Sequence, residues 1–518
     1  MRLFNLLTEK LDYVPDPRGL KYAILSHRWG PDNDELTFQD IIDGAGSEKG
    51  GYKKLKHCCD RAKEDTMDYV WIDTCCIDKS SSAELSESLN SMYVWYEKAT
   101  ICYAYLSDVL EDTDFEKSNW FSRGWTLQEL IAPSKMRFYN CKWSELGTKQ
   151  ELSHRIRKIT GIDEGVLAHG DNPQTLSIAK RMSWASKRET KRVEDVAYSL
   201  LGLFGVSMPM LYGEGGTAFI RLQEEILKRS DDHSLFAWSG SNRGLLARSP
   251  ADFVTGSNII SSNTRLNRIP YSVTNMGLSI ELPLVPWAMD KYLAALDCVR
   301  EESDDRIGIF LELLPENGQY ARTTVDGTSV RAFEADLIAK SEYRKIYVRQ
   351  SNWRSSQNKS WVYGFCLRQL PGVDGRWEDS DWQIRQWRSC KTYEQNRFSD
   401  FDVWGGKDHV LEIPAGQQGP AGLLWCKQKT GNYYAVLELG FDTMFNPTCR
   451  YGLSRLQPNN KSFDIHWYCG THSTFKGTRA MGLKENSIVI GEGKVDGGHD
   501  AAEENKSPSI WVVEISAL

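Results

Sequence analysis

The chain has no apolar run approaching the roughly 20 residues that cross a bilayer as a helix. Its first ten residues, Met1-Arg-Leu-Phe-Asn-Leu-Leu-Thr-Glu-Lys10, are too few and too soon charged for a secretory signal. A cytoplasmic protein with no membrane span is therefore expected. Basic residues are not in excess either. Lys and Arg total 63 against 70 Asp and Glu, a formal charge of -7, so nothing marks a nucleic-acid or anionic-membrane surface. Lys-rich pieces such as Lys53-Lys54-Leu-Lys56 read as solvated helix faces. Twelve cysteines are scattered through 518 residues, without a Cys-x-x-Cys or a matching histidine spacing, which argues against both a disulfide scaffold and a structural zinc. Reduced thiols, and no metal, are the expectation. The turn Tyr212-Gly-Glu-Gly-Gly216 lacks the Gly-Lys-Ser/Thr ending of a P-loop and reads as a structural turn before a helix. No fixed-period repeat supports a propeller or solenoid.

What is present is the composition of a globular protein, 41% hydrophobic and 26% charged, in a chain long enough for two or three domains. Tyr22-Ala-Ile-Leu-Ser-His27 and Tyr69-Val-Trp-Ile-Asp73 read as buried strands, followed by Ile101-Cys-Tyr-Ala-Tyr-Leu106 and Met136-Arg-Phe-Tyr139. Between them lie a helix with Tyr52, Leu55, Cys59 and Ala62 on one face, and another that opens with the capping-box sequence Ser81-Ser-Ala-Glu84. Strands alternating with helices imply a parallel sheet. Residues from about 151 to 230 carry helical stripes: Leu152, Ile156 and Ile159; Val193, Ala197, Leu200, Leu201 and Phe204 ending at Gly205; and Phe219, Leu222 and Ile226. After about Phe236 the texture turns to β-branched and aromatic runs such as Leu278–Leu282, Ile307–Leu313, Ile346–Val348, Trp361–Leu367, Tyr433–Leu439 and Ile510–Ile515. Gly372 to Asp381 reads as a polar connecting loop. The expected organisation is α/β plus β: an α/β core over 1–145, a helical part over 146–235, and a mostly β domain over 236–518 resembling a β-sandwich or jelly roll.

Chemistry gathers at the expected strand ends, where ligands of open parallel sheets bind. The first strand ends in Ser26-His-Arg-Trp-Gly30, a hydroxyl, imidazole, guanidinium, indole and glycine in succession. Arg28 is a candidate for a phosphate and Trp29 for stacking on a base, with His27 and Gly30 between and beside them. The second ends in Asp73-Thr-Cys-Cys-Ile-Asp78, which adds Asp73 and Cys76. Further on, Trp120-Phe-Ser-Arg-Gly-Trp-Thr-Leu-Gln-Glu-Leu-Ile-Ala-Pro133 sets Trp125 and Glu129 on one helical face beside Arg123. Each piece also has a structural reading: core tryptophans, a solvated glutamate, an aspartate capping a turn, cysteines as small buried hydrophobes.

Taken together, Tyr22-Ala-Ile-Leu-Ser-His-Arg-Trp-Gly30, Tyr69-Val-Trp-Ile-Asp-Thr-Cys-Cys-Ile-Asp78 and Arg123-Gly-Trp-Thr-Leu-Gln-Glu-Leu-Ile-Ala-Pro133 resemble three signature blocks of the fungal heterokaryon-incompatibility (HET) domain. Glu194 to Val206 and Met210 to Gly215 resemble supporting stretches, so the resemblance covers about residues 1–230. It implies a domain that triggers cell death on fusion of unlike fungal individuals and that is similar to Toll/interleukin-receptor (TIR) domains, with their flavodoxin-like parallel sheet. Many TIR domains cleave NAD with a glutamate in a Trp-x-x-x-Glu-Leu helix, a pattern that Trp125, Glu129 and Leu130 match. Thr126 stands where a cysteine often follows that tryptophan, and Arg28 where the HET family more often has threonine.

The resemblance thus implies an NAD glycohydrolase with Glu129 as catalytic carboxylate. Ser26, His27, Arg28, Trp29, Gly30, Asp73, Cys76, Arg123 and Trp125 would line the substrate site, with NAD a substrate and not a cofactor. A second reading is a non-catalytic signalling module that self-associates and meets a protein partner through the β domain. A third is a thiol enzyme built on Cys76 with His27.

Overall fold

The computed structural model describes residues 1–262, 270–288 and 291–350, except positions 302, 304, 315–317, 326 and 334–340, and beyond these the backbone of strands between 363 and 517. The expected strand residues Trp361, Val362 and Tyr433, and the expected loop Gly372 to Asp381, lie outside the described residues.

The first half is built on a seven-stranded sheet. Its strands are β1 (Arg2–Asn5), β2 (Leu11–Tyr13), β3 (Tyr22–His27), β4 (Tyr69–Trp71), β5 (Ile101–Tyr105), β6 (Met136–Tyr139) and β7 (Glu145–Thr148), in the spatial order β2-β1-β4-β3-β5-β6-β7. The central four are parallel, with Ala23 opposite Val70, Ile24 opposite Cys102 and Ala104 opposite Phe138. β3 is buried along its whole length, as befits a central strand of a parallel sheet covered by other layers. The edge pairs β1–β2, β1–β4 and β6–β7 are antiparallel. From β3 the chain steps to β4 on one side, then crosses to β5 on the other, so the strand order reverses beside β3. This is the topological switch point of a doubly wound sheet.

The crossover helices are α2 (Gly50–Glu64), after the short α1 (Phe38–Asp43), and α3 (Ser82–Lys98). α2 buries Leu55, Cys58, Cys59 and Ala62 against the sheet, while Tyr52 is 38% exposed. α2 lies so close to the loop before it that a Cβ on Gly51 would come 2.3 Å from the Leu36 nitrogen. At the start of α3 the Ser81 hydroxyl accepts the Glu84 N–H, but the reciprocal half of a capping box does not form. The Glu84 carboxylate takes the Asp78 N–H at 3.0 Å and pairs with Arg2. Trp71 packs edge-on against Trp95 and Tyr96 of α3, with centroids 5.6 and 5.9 Å apart, which anchors that helix on β4. α4 (Thr126–Ile131) precedes β6, and all six of its residues are buried.

The following region is helical in shorter pieces than the stripes suggest: α5 (Ser153–Thr160), a π turn over Gly165–His169, α6 (Ile178–Ser183), α7 (Asp195–Tyr198), α8 (Leu201–Phe204) and α9 (Thr217–Leu227). Gly205, at φ 65°, ends α8 in the left-handed conformation. Val193 is exposed and does not belong to the buried stripe assigned to it.

Beyond α9, after three short 3-10 turns between His233 and Asn258, the described regular structure is β. An eight-stranded sheet includes Gly277–Ala288, Lys291–Arg300, Arg306–Leu313, Tyr320–Arg322 and Glu342–Val348, antiparallel except for the parallel contact of Tyr320 with Val348. Five- and six-stranded sheets follow within 363–517. The chain is thus an α/β unit followed by β structure. No helix among the described residues is long and apolar enough to cross a membrane.

Candidate functional site

Because β3 and β4 are parallel, the segments that follow them emerge at the same sheet edge, and their side chains meet. His27 Nε2 lies 3.0 Å from Asp73 Oδ1, and the Trp29 indole N–H donates to Asp73 Oδ2 at 2.7 Å. The Lys54 ammonium, from α2, donates to His27 Nδ1 at 3.1 Å and also pairs with Glu35, whose Oε1 accepts the Gly30 N–H at 2.5 Å. Burial, and then the Lys54 charge, lower the His27 pKa, so the imidazole is neutral at pH 7. With Nδ1 accepting from Lys54, the ring proton sits on Nε2 and is donated to Asp73. Burial works against the charge of Asp73. The His27 hydrogen bond, with Lys79 and Arg123 nearby, outweighs it and holds that carboxyl well below the usual range.

Glu129 lies at the opposite flank of β3, on α4. It is 5% exposed, not solvent-facing as its local sequence suggested. The Ser26 hydroxyl accepts the Trp120 indole N–H at 3.0 Å and donates its own proton to Glu129 Oε2 at 2.5 Å. Burial pushes the Glu129 carboxyl up to about 7, against the Arg123 charge and the Ser26 bond, while Asp73 adds to the upward shift. Arg123 spans the two halves of the site. Its guanidinium donates to the His27 carbonyl at 2.5 Å and lies 5.3 Å from the Trp29 ring centre.

The loop carrying Arg123 is held from the helical region. Arg188 donates to the Arg123 carbonyl at 2.8 Å and to the Thr126 hydroxyl at 3.0 Å, and the Gly124 N–H donates to the Glu189 carbonyl at 2.8 Å. Trp125 sits beside Asp195 of α7, which also takes the Tyr212 hydroxyl at 3.0 Å.

The structure therefore brings Ser26, His27, Trp29, Gly30, Asp73, Arg123 and Glu129 together at the carboxyl ends of β3 and β4. The remaining candidates stand apart. Arg28 is exposed and has no hydrogen bond or ion pair among the described residues. Cys76 is in the core, accepting the Ile72 N–H on sulfur at 3.4 Å, and Cys75 beside it reaches the Ile72 carbonyl at 3.9 Å. Burial among other thiols is their setting, and a neutral His27 committed to Lys54 and Asp73 offers Cys76 no base.

Sequence reasoning passed over Lys54, Glu35, Trp120 and Arg188. By composition Lys54 belongs to a Lys-rich stretch that reads as a solvated face. Its position immediately before Leu55, on the rim of the buried face of α2, is the signal that places it at the sheet edge. The glycine turn before α9 is already filled, since the Glu194 carboxylate accepts the N–H groups of Gly213 and Gly215 at 2.8 and 3.0 Å. No group of three or more His, Cys, Asp or Glu among the described residues is placed to hold a metal ion.

Next to this cluster an open cleft of about 440 Å³ is lined by the loops after β3 and β4, including Trp29, Glu35, Thr74 and Lys79, and by Phe38 of α1. The Lys79 ammonium lies 3.8 Å from the Trp29 ring centre, and Lys191 lies 5.8 Å from it.

A doubly wound sheet with an acid–base cluster at its switch point defines a class, and comparison with known proteins narrows it. Residues 22–116 match the family described as Heterokaryon incompatibility protein (HET), and residues 217–255 one described as Domain of unknown function (DUF8212). The chain is similar to Vegetative incompatibility protein HET-E-1 of Podospora anserina, 45% identical over 227 residues, a stretch covering 42% of this chain and 17% of that protein. The chain therefore matches less than a fifth of the length of that relative. The HET match contains Ser26 to Asp78 and ends before Arg123 and Glu129. No solved structure matches the chain.

Proposed function

We propose that this protein is an effector of heterokaryon incompatibility whose α/β unit, TIR-like in its strand order, cleaves the nicotinamide–ribose bond of NAD. The observation that carries this reading is the Glu129 carboxyl, buried at the switch point and held by Ser26, with a pKa of about 7. Nicotinamide leaves NAD as a neutral base because it departs from a cationic nitrogen, so no general acid is needed. The C–N bond breaks with its electrons going to the ring nitrogen, the ribose becomes oxocarbenium-like, and water adds at the anomeric carbon and loses a proton. A carboxylate beside that carbon stabilises the developing positive charge, and Glu129 in its ionised form supplies it. Trp29 offers a stacking surface, and Arg123 and the unpartnered Arg28 offer charge for the pyrophosphate. Because Glu129 is shut in, the loop from Trp120 to Trp125 has to shift before substrate reaches it.

The test is NAD consumption by the purified full chain over a concentration series, with Glu129→Gln alongside. Turnover by the parent and a loss of about 100-fold or more in the variant are expected. Comparable turnover by both removes Glu129 from the chemistry. The same burial favours a second reading, a non-catalytic module in which Glu129 is a structural partner of Ser26. No NAD consumption at any protein concentration is the result that selects it. Under either reading, self-association and a protein partner for the β region are the proposed contacts.

A further inference from the structure

The cleft beside the acid–base cluster has a chemistry of its own. Three carboxylates, Asp32, Glu35 and Asp78, line it against one ammonium, Lys79, which is engaged with the Trp29 ring. Two of the three have their own partners: Asp32 pairs with Lys191 at 2.8 Å and Asp78 takes the Ser80 hydroxyl at 2.6 Å. Glu35 differs. Its side chain is 8% exposed, Oε1 is committed to Gly30 and Lys54, and Oε2 is buried without any hydrogen-bond partner. A buried carboxylate oxygen with an unused acceptor, in the wall of a cleft beside an indole, calls for a hydrogen-bond donor. Such a wall suits a hydroxyl-bearing group and disfavours a phosphate.

We propose that this cleft binds the adenosine ribose of the dinucleotide, that the free Glu35 oxygen accepts from its 2′-hydroxyl, and that the site thereby selects NAD over NADP. The assignment rests on the NAD-cleavage reading for which dinucleotide is bound, and on the cleft alone for the ribose. Trp29 lines the cleft and its indole N–H donates to Asp73, so the cleft adjoins the cluster. A carboxylate on the ribose 2′-hydroxyl is how dinucleotide sheets of another fold family read NAD. A 2′-phosphate would bring a charge near -2 against the Glu35 carboxylate, which can only accept, where a hydroxyl has a proton to donate.

Two measurements on the full chain test this: calorimetric titration with adenosine and with 2′-deoxyadenosine, and kcat/KM for NAD and NADP in competition. Adenosine is expected to bind about tenfold or more tightly than its deoxy analogue, and NAD to be preferred over NADP by a similar factor, because an acceptor built for a hydroxyl rejects a ligand lacking it. In Glu35→Gln both preferences should shrink to about threefold or less, since the amide carries no charge to repel phosphate and, with its oxygen kept by Lys54 and Gly30, leaves no acceptor for the ribose hydroxyl. Equal binding of the two nucleosides by the parent overturns the proposal without any variant. Preferences that survive Glu35→Gln in a protein that melts like the parent also overturn it. NAD cleavage with no 2′ preference sinks the cleft assignment and leaves the cleavage reading standing. A Glu35-dependent adenosine preference without NAD cleavage does the reverse.

Discussion

Glu129 titrates near 7 in the folded protein against 4.5 for an ordinary glutamate, because burial penalises its charged form. The folded state therefore holds a proton that the unfolded state releases. Stability from this group is fully present below about pH 4.5, falls as pH rises through the folded pKa, and is gone above it. The size of the loss is about 3 kcal/mol. Denaturant melts of parent and Glu129→Gln between pH 5 and 8 should show the parent losing stability relative to the variant as pH rises. Parallel curves would mean that the carboxyl is solvated or already ionised. Turnover should move the opposite way, rising through about pH 7 as the carboxylate forms. The meeting of His27, Trp29 and Asp73 was legible in the sequence because parallel strands deliver their carboxyl ends to one edge. The burial of Glu129 was not. A helical-face reading assumes a wet face, and α4 has none.

At the scale of elements, the site depends on a clamp from outside the sheet. α4 is six residues long, too short to hold itself, and Arg188 fixes its entry through the Arg123 carbonyl and Thr126 hydroxyl. Replacing Arg188 with Met removes both of its bonds, leaving the Arg123 carbonyl only the Thr126 hydroxyl, and should cost about 2 kcal/mol. Arg188→Lys should recover little, because an ammonium lacks the rigid planar fork. Denaturant midpoints for the two variants check this, and a change within about 0.5 kcal/mol would show that the clamp carries no load. The four parallel strands and crossover helices were readable from periodicity. β1, β2 and β7 were not, because strands of three or four residues at or next to a sheet edge carry too few alternating positions, and β1 is fixed by its pairing to β4, distant in sequence. The helical stripes predicted the buried residues of α5 and α9 but overran at Val193, where the chain is still a turn.

For the whole molecule, the change of texture near Phe236 was visible in the sequence, but what happens across it was not, because the contacts are long-range and polar. Ser177 and Lys180, at the start of α6, reach the β region through the Ile259 carbonyl and, at 3.0 Å, the Glu301 carboxylate. Arg322, in a strand of the eight-stranded sheet, is buried. It donates to the carbonyls of Phe236, at 2.7 Å, and Trp238, and stacks 3.6 Å from the Trp238 ring centre. Polar anchors of this kind, each satisfying backbone groups that would otherwise be orphaned, couple the melting of the α/β unit to that of the first β sheet. Calorimetry of the full chain should accordingly show these two parts unfolding in one transition. Arg322→Ala, which strands two buried carbonyls and removes the stacking partner of Trp238, should cost about 3 kcal/mol or more. It should also separate a lower transition from the one that tracks the Glu129 pH dependence. If the parent already melts in two steps, of which only one responds to Glu129→Gln, the two parts are independent and the α/β unit carries its site unaided.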